Sequence, residues 1–397
     1  MTWRRIFGVL WVSQALSQFG TSVSSLAYPL LILDSTGSAL QAGLVGTVVA
    51  ATAILVRLPG GAISDRRAAR GLMLTADGVR AALLAGLSVC VALNVAATPL
   101  ILVVVGLEVV AGSVFGPAEF RLVRAITPEG ERAVAVGRMQ SRAQLAGLLG
   151  PLAGGALFGV APWLPFAVDA TSYLLSLMLL LFVPARHGRP LAGLSRQGAW
   201  RWMASEGFLL PAAIWMAALT ATFGAVGLIV IVLAQDRGAT STEIGLMYTI
   251  SGIGGLIGAL LTPQLQRRFR PATVFRSAAL VDTVAVLALL PLHSPILIGA
   301  CGAVAFFTAP VVSACLFGEL SRRVPDELVG RVQASVGLLV GSLAPIAPPL
   351  IGAVVDRLGS TLGVTGCALS FGCLTVIAFV LPAFRREPLK TRAGARA

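Results

Sequence analysis

The sequence predicts an all-α integral membrane protein, with twelve transmembrane helices in two pseudo-symmetric six-helix halves. Three observations carry that prediction. The first is composition: 56% of the 397 residues are hydrophobic, 12% are charged, and the mean hydropathy is +0.88. A soluble domain carries about 25% charged residues, so a soluble enzyme, a disordered chain and a secreted disulfide scaffold are excluded. The second is a series of apolar runs, each near the roughly 20 residues that a helix needs to cross a bilayer. The third is the placement of basic residues between those runs.

The runs lie at 6–33, 39–62, 72–94, 98–118, 134–160, 163–183, 208–233, 242–264, 273–292, 295–318, 328–355 and 360–382. The first follows Trp3-Arg4-Arg5 and is too long for the 7–15-residue core of a signal peptide, so it reads as a retained membrane helix. Numbering the connections alternately from an inside N-terminus puts 25 basic residues in the inside set. Only Arg237 and Arg357 fall in the outside set, and Arg57, Arg80 and Arg142 lie within helices. Both termini are therefore expected in the cytoplasm of a multi-pass protein of the inner (plasma) membrane. This topology accounts for the net charge of +13, so no nucleic-acid partner is expected.

The longest connection follows the sixth run. It divides the chain into a first bundle (1–183), a cytoplasmic loop (184–207), a second bundle (208–384) and a basic tail (385–397). The bundles echo each other. Ala42-Gly43-Leu44 opens the second run and Ile244-Gly245-Leu246 the eighth; Gly137-Arg138-Met139-Gln140 opens the fifth and Gly330-Arg331-Val332-Gln333 the eleventh. Such internal repetition is characteristic of secondary transporters, which bind substrate near the midplane between the repeats. Five cysteines sit in apolar runs without metal spacing, and the two histidines, His187 and His293, lie at run edges. Neither a metal site nor a cofactor is expected, and no GxxxxGK[ST] loop offers ATP hydrolysis.

Two motifs refine this reading. Gly61-Ala62-Ile63-Ser64-Asp65-Arg66-Arg67-Ala68-Ala69-Arg70 joins helices 2 and 3, and Gly150-Pro151-Leu152-Ala153-Gly154-Gly155 lies in helix 5. Gly61 permits close helix approach, and Asp65 can accept hydrogen bonds at a helix N-terminus or pair with an Arg, for which Arg331 is a candidate. Pro151 removes a backbone hydrogen bond while its flanking glycines allow tight packing. The pair resembles the loop motif and the antiporter motif of the major facilitator superfamily, over essentially the whole chain. Phe115-Gly116-Pro117-Ala118 and Phe166-Ala167-Val168-Asp169-Ala170 resemble its macrolide-efflux and enterobactin-exporter branch. The resemblance implies a latch at Gly61, Asp65, Arg66 and Arg70, a gate helix at Gly150, Pro151, Gly154 and Gly155, and a cavity lined by helices 1, 4, 7 and 10. The Arg usual in helix 4 is replaced by Glu108.

Ionisable groups at membrane depth are functional hypotheses by default. Asp77 and Arg80 stand i,i+3 on helix 3 with Arg57 at comparable depth; these three, Asp169 and Asp282 are expected to be structural. Glu108 is placed about ten residues above the inner end of helix 4 and Arg142 about eight residues into helix 5, so the two are expected to pair and to couple proton loading to the gate. Gln14, Gln18, Thr21 and Ser25 fall on one face of helix 1, a face expected to look into a wet cavity.

The function expected is not enzymatic: alternating-access export of an amphipathic drug or natural product in exchange for protons, within the lipid bilayer. A siderophore or nutrient carrier of the same fold is the alternative, with a membrane-embedded enzyme or lipid scramblase behind it.

Overall fold

The structure is a computed structural model that describes residues 3–183, 202–203, 206–324 and 328–381. His187, nearly all of the predicted 184–207 loop and the 385–397 tail lie outside the described residues. Among those residues all regular structure is helical: α1 (Trp3–Thr36), α2 (Ala39–Arg66), α3 (Ala69–Ala92), α4 (Thr98–Ile126), α5 (Arg132–Val160), α6 (Leu164–Leu180), α7 (Leu209–Asp236), α8 (Ser241–Arg268), α9 (Pro271–Leu287), α10 (Pro295–Arg323), α11 (Val329–Gly341), α12 (Ala347–Leu358) and α13 (Ser360–Val380). Nine of them are long and apolar enough to cross a membrane. α6 and α9 have 17 residues each, and α11 and α12 together make one interrupted crossing.

Local chemistry sets these boundaries. Ser38 caps α2 through the Gln41 amide, and Thr240 with Glu243 forms a capping box at α8. Prolines occupy the first turn of α4, α6, α9, α10 and α12, where a missing N–H is harmless. Pro345, Pro348 and Pro349 do more than kink the eleventh crossing. Each lacks a donor and disfavours helix in the residue before it, so the helix breaks between Gly341 and Ala347.

The chain alternates between two faces. One holds Trp3, the 2–3, 4–5 and 8–9 turns and the ends of α10 and α13; it is the Arg-rich face. The other holds Arg237 and Arg357 and is the Arg-poor face. α1 packs on α5 and α6, α3 on α4 and α6, and α2 on α4; in the second half α8 packs on α10, α9 on α10 and α13, and α7 on α11, α12 and α13. The halves meet through α5 against α8 and α2 against α12. Leu55, Val160, Phe182, Leu260 and Leu369 are exposed on the outer surface, an arrangement suited to lipid rather than water. The cysteines are not uniformly core: Cys315 and Cys367 are buried, whereas Cys373 is exposed.

Candidate functional site: buried charges and the contact between the halves

Much of the polar face of α1 is a hydrogen-bonding rack for buried acids. Gln14 and Ser13 bond to Ser176 Oγ, which donates to Asp77 Oδ2 at 2.6 Å. Gln18 accepts from Arg142 Nε at 3.2 Å. Thr21 Oγ1 lies 2.7 Å from the Tyr173 hydroxyl, which reaches Glu108 Oε1 at 3.1 Å. One turn on, Ser24 donates to Asp169, and Tyr28 donates to Glu108 Oε2 at 2.7 Å. Ser25 is the exception: it is exposed and bonds its own helix at Ser22. The stripe is polar because the acids beside it need donors, and an unpaired polar group in a medium without water is destabilising.

The expected Glu108–Arg142 pair is absent. Arg142 forms a bidentate ion pair with Glu119, at 2.8 and 3.2 Å, with both side chains buried. The length of α4 is the reason: it runs on to Ile126, so Glu108 lies eighteen residues from its Arg-rich end and not ten. α4 starts at the Arg-poor face, so Glu108 lies ten residues from that end, about 15 Å deep. α5 starts at the Arg-rich face, and Arg142 is ten residues from that end instead. Glu119, seven residues from the end of α4, is the acid at the depth of Arg142. It escaped the sequence reading because the fourth run was ended at 118, although Phe120, Leu122, Val123 and Ile126 continue the apolar pattern.

The other intramembrane charges are held locally. Asp77 and Arg80 make no ion pair; Arg80 donates to the Glu108 carbonyl at 3.4 Å and stacks over Tyr173 and Phe115. Arg57 does not join them but rests on α11, where a Cβ at Gly337 would lie 3.1 Å from its Nη2. Asp282 accepts from Thr308 at 2.8 Å. Arg70 caps α6 through the Leu180 and Leu181 carbonyls. Arg121, past the end of the 98–118 run, is buried in α4 and donates to the Arg67 carbonyl at the end of α2 at 2.9 Å. The side chains of Asp65, Arg66 and Arg331, and Gly61 with them, lie outside the described residues.

The halves touch backbone to backbone over the part of the bundle toward the Arg-poor face. A Cβ on Gly155 would strike the Ser241 carbonyl and Gly245, one on Gly245 the Pro151 carbonyl, and one on Gly43 or Gly352 the backbone of Pro348 or Ala39. Gly150 and Gly154 are equally tight but face Ser22 and Val23 of α1, inside their own half. Of the helix-5 glycines in the motif, Gly155 is the one at the contact between halves. Asp356 of α12 clamps the same region. Its carboxylate accepts from the Ala39 and Leu40 amides at 2.7 and 3.1 Å and from Ser38 Oγ at 2.7 Å. An acid of one half therefore sits on the helix N-terminus of the other, where the dipole and the unpaired amides favour an anion. The signal was in the sequence: Gly352-Ala353-Val354-Val355-Asp356-Arg357 repeats the spacing of Gly61-Ala62-Ile63-Ser64-Asp65-Arg66.

The family model described as Major Facilitator Superfamily matches residues 10–349. The chain belongs to the major facilitator superfamily. Among curated members, it is 24% identical over 397 residues to the multidrug efflux pump Tap of Mycobacterium tuberculosis, covering 94% of this chain and 93% of that one. It is 25% identical to the enterobactin exporter EntS of Citrobacter koseri, covering 89% and 88%. A bacterial homologue of the human lysosomal transporter Spinster, solved inward-facing and unoccupied, superimposes with a TM-score of 0.76 at 15% identity over 96% of this chain and 97% of that one. The nucleoside transporter NupG gives 0.78 at 13% identity over 98% and 100%. At these identities the solved structures establish the fold of this superfamily member, with its twelve crossings in two halves.

Proposed function

We propose that this superfamily member is a secondary exporter of amphipathic small molecules, working by alternating access in exchange for protons. The observation that carries export is the similarity, over nearly the whole chain, to a multidrug efflux pump and a siderophore exporter. Residues 1–183 and 208–384 act as the two moving bundles, joined by the 184–207 loop. The Arg-rich face, with both termini and the 385–397 tail, lies in the cytoplasm of a plasma membrane. The glycine contacts and the Asp356 clamp close the Arg-poor face, so this conformation opens inward. Asp65 is the corresponding latch for the cytoplasmic face when the protein opens outward.

Glu108 is the proton-coupling group. When it is ionised, the Tyr28 and Tyr173 hydroxyls both donate to it. When it is protonated, its own O–H turns to the Tyr173 oxygen; Tyr173 then donates to Thr21, which donates to the Ser17 carbonyl 2.9 Å away. One proton reverses the chain that ties α4 to α6 and α1, and so changes how these helices hold together. Arg142 and Glu119 brace α4 against α5 nearer the cytoplasm. The test is resistance to a panel of toxic compounds in a drug-sensitive host, with and without a protonophore. Resistance that the protonophore removes supports the reading, and Glu108→Gln should abolish it. A siderophore cargo would instead give secretion of an iron chelator without drug resistance.

A further inference from the structure

A cavity of about 510 Å³ opens on the side of the second half between α8, α9 and α10, away from the contact between the halves. Its wall is almost wholly apolar, built from Gly254, Ile257 and Leu265 of α8, Val281 of α9, and Val304 and Phe307 of α10. Ile257, Val281 and Val304 are also exposed on the lipid-facing surface, so the cavity is a groove that a membrane component can enter sideways. Its wall along α8 runs from Gly254 to Leu265, eleven residues or about 16 Å. That matches the depth of one leaflet of hydrocarbon, about 15 Å.

The groove ends where α8 passes into α9, at Phe269, the cap of α8, and Thr273 in the first turn of α9. Arg267, Arg268 and Arg270 stand in that same turn on the Arg-rich face. Arg267 and Arg268 are exposed and make no ion pair among the described residues. Arg276, one turn into α9, is already used: it donates to the Ala378 carbonyl and lies over Phe379. In the first half Arg70, at the start of α3, is likewise used on the end of α6. The second half therefore keeps two exposed arginines without an ion pair among the described residues, within two positions of Phe269 at the end of a leaflet-deep apolar groove.

We propose that this groove binds an anionic phospholipid of the leaflet on the Arg-rich side. One acyl chain lies along α8 between α9 and α10, and the phosphate rests at the end of α8, within reach of the long side chains of Arg267 and Arg268. An acyl chain alone would fit any phospholipid; the paired arginines select an anionic headgroup, since each basic group near the membrane surface favours one by an amount that makes two worth about thirtyfold in affinity. A bound lipid would bridge α8, which carries Gly245 at the contact between the halves, to peripheral α9.

The test uses the purified full chain, stripped of lipid in detergent and supplied with dioleoyl phosphatidylglycerol or dioleoyl phosphatidylcholine. Native mass spectrometry reads retained lipid and thermal unfolding reads stabilisation. Phosphatidylglycerol should be retained in preference, and Arg267→Gln with Arg268→Gln should erase most of a roughly thirtyfold preference while phosphatidylcholine binding persists. Dihexanoyl phosphatidylglycerol has the headgroup without the long chain and should bind far more weakly; this arm needs no substitution in the core. Val304→Trp, which fills the groove, should reduce both long-chain lipids. Equal retention of the two lipids by the unsubstituted protein, or an unchanged preference in the arginine variant, would overturn the proposal. So would competition by glycerol phosphate as strong as by the whole lipid, which marks a free-anion site. Displacement of phosphatidylcholine by tetraphenylphosphonium, indifferent to the arginine changes, would overturn it in favour of a small-molecule entrance.

Discussion

Removing the Asp356 carboxylate should open the Arg-poor face. In this conformation the carboxylate takes two backbone amides and one hydroxyl from the N-terminus of α2. Each hydrogen bond to a charged group contributes about 1.5–3 kcal/mol when buried, and the helix dipole adds about 0.3–1 kcal/mol. Asp356 is exposed, however, and on opening both partners regain water. Ser38 also keeps its own bond to the Gln41 amide. The three contacts together then amount to about 2 kcal/mol in favour of the closed face, a factor of about thirty in the ratio of conformers. Asp356→Ala should forfeit all of it. Asp356→Asn, which keeps one good cap acceptor, should forfeit about half. The assay is labelling of Ala42→Cys, a position 2% exposed in the closed face, by a membrane-impermeant maleimide in a cysteine-free background. Labelling from outside should rise in the order unsubstituted, Asn, Ala. Equal labelling in all three, with each protein folded, would refute the reasoning and leave Asp356 as an ordinary helix cap.

Four further outcomes follow from the same contacts. Arg142→Gln strands the buried Glu119 carboxylate and should destabilise the protein by roughly 3–5 kcal/mol, whereas adding Glu119→Gln should recover much of that loss; thermal unfolding of the two variants checks it. Gly155→Ala drives a methyl into α8 and should raise outside labelling of Ala42→Cys, while Gly154→Ala strikes α1 within one half and should lower stability without that rise. Glu108→Gln should leave substrate exchange measurable but remove uphill export driven by a pH gradient. Burial pushes the Glu206 carboxyl up, but the amides of Leu209 and Phe208 and the Arg323 guanidinium outweigh it and hold its pKa below the usual value. A depressed carboxyl contributes stability above its unfolded pKa and loses it as pH falls through the folded one. Glu206→Gln should therefore lower the unfolding midpoint at neutral pH, and the difference should vanish in acid.

The helices were legible because each is a physical necessity repeated twelve times. An apolar run of bilayer length has no alternative to helix, since every backbone group must be satisfied within it. The ends were less legible. α4 continues to Ile126 and α10 to Arg323, past the points where arginines and glutamates dilute the apolar signal. Those extra turns stand at the Arg-rich face, where long side chains reach water or each other, as Arg323 does with Glu319 and Glu206. The break after Gly341 was legible only as a bend: three prolines within five residues announce trouble, but whether a helix kinks or stops depends on which neighbours take up the freed carbonyls.

The buried charges show why pairing is harder to read than depth, and why depth itself needs the helix ends. Asp77, Glu108, Asp169 and Asp282 were each recognisable as acids inside apolar helices. None of the four has an ion-pair partner among the described residues; all are held by hydroxyls, from Ser176, Tyr28 and Tyr173, Ser24, and Thr308 in turn. The arginines beside them go elsewhere: Arg80 to a carbonyl and two aromatic faces, and Arg142 to Glu119, an acid past the end of the fourth apolar run. The feature that did locate the acids was the stripe on α1. Ser13, Gln14, Thr21 and Ser24 are neutral donors spaced along one helix, and each reaches an acid directly or through one hydroxyl. A neutral donor can hold a carboxyl whether or not it is ionised, which an arginine can do only at great electrostatic loss on protonation. Glu108 is held in this way, by one hydroxyl from α1 and one from α6, so its contacts tie three helices of the first half together.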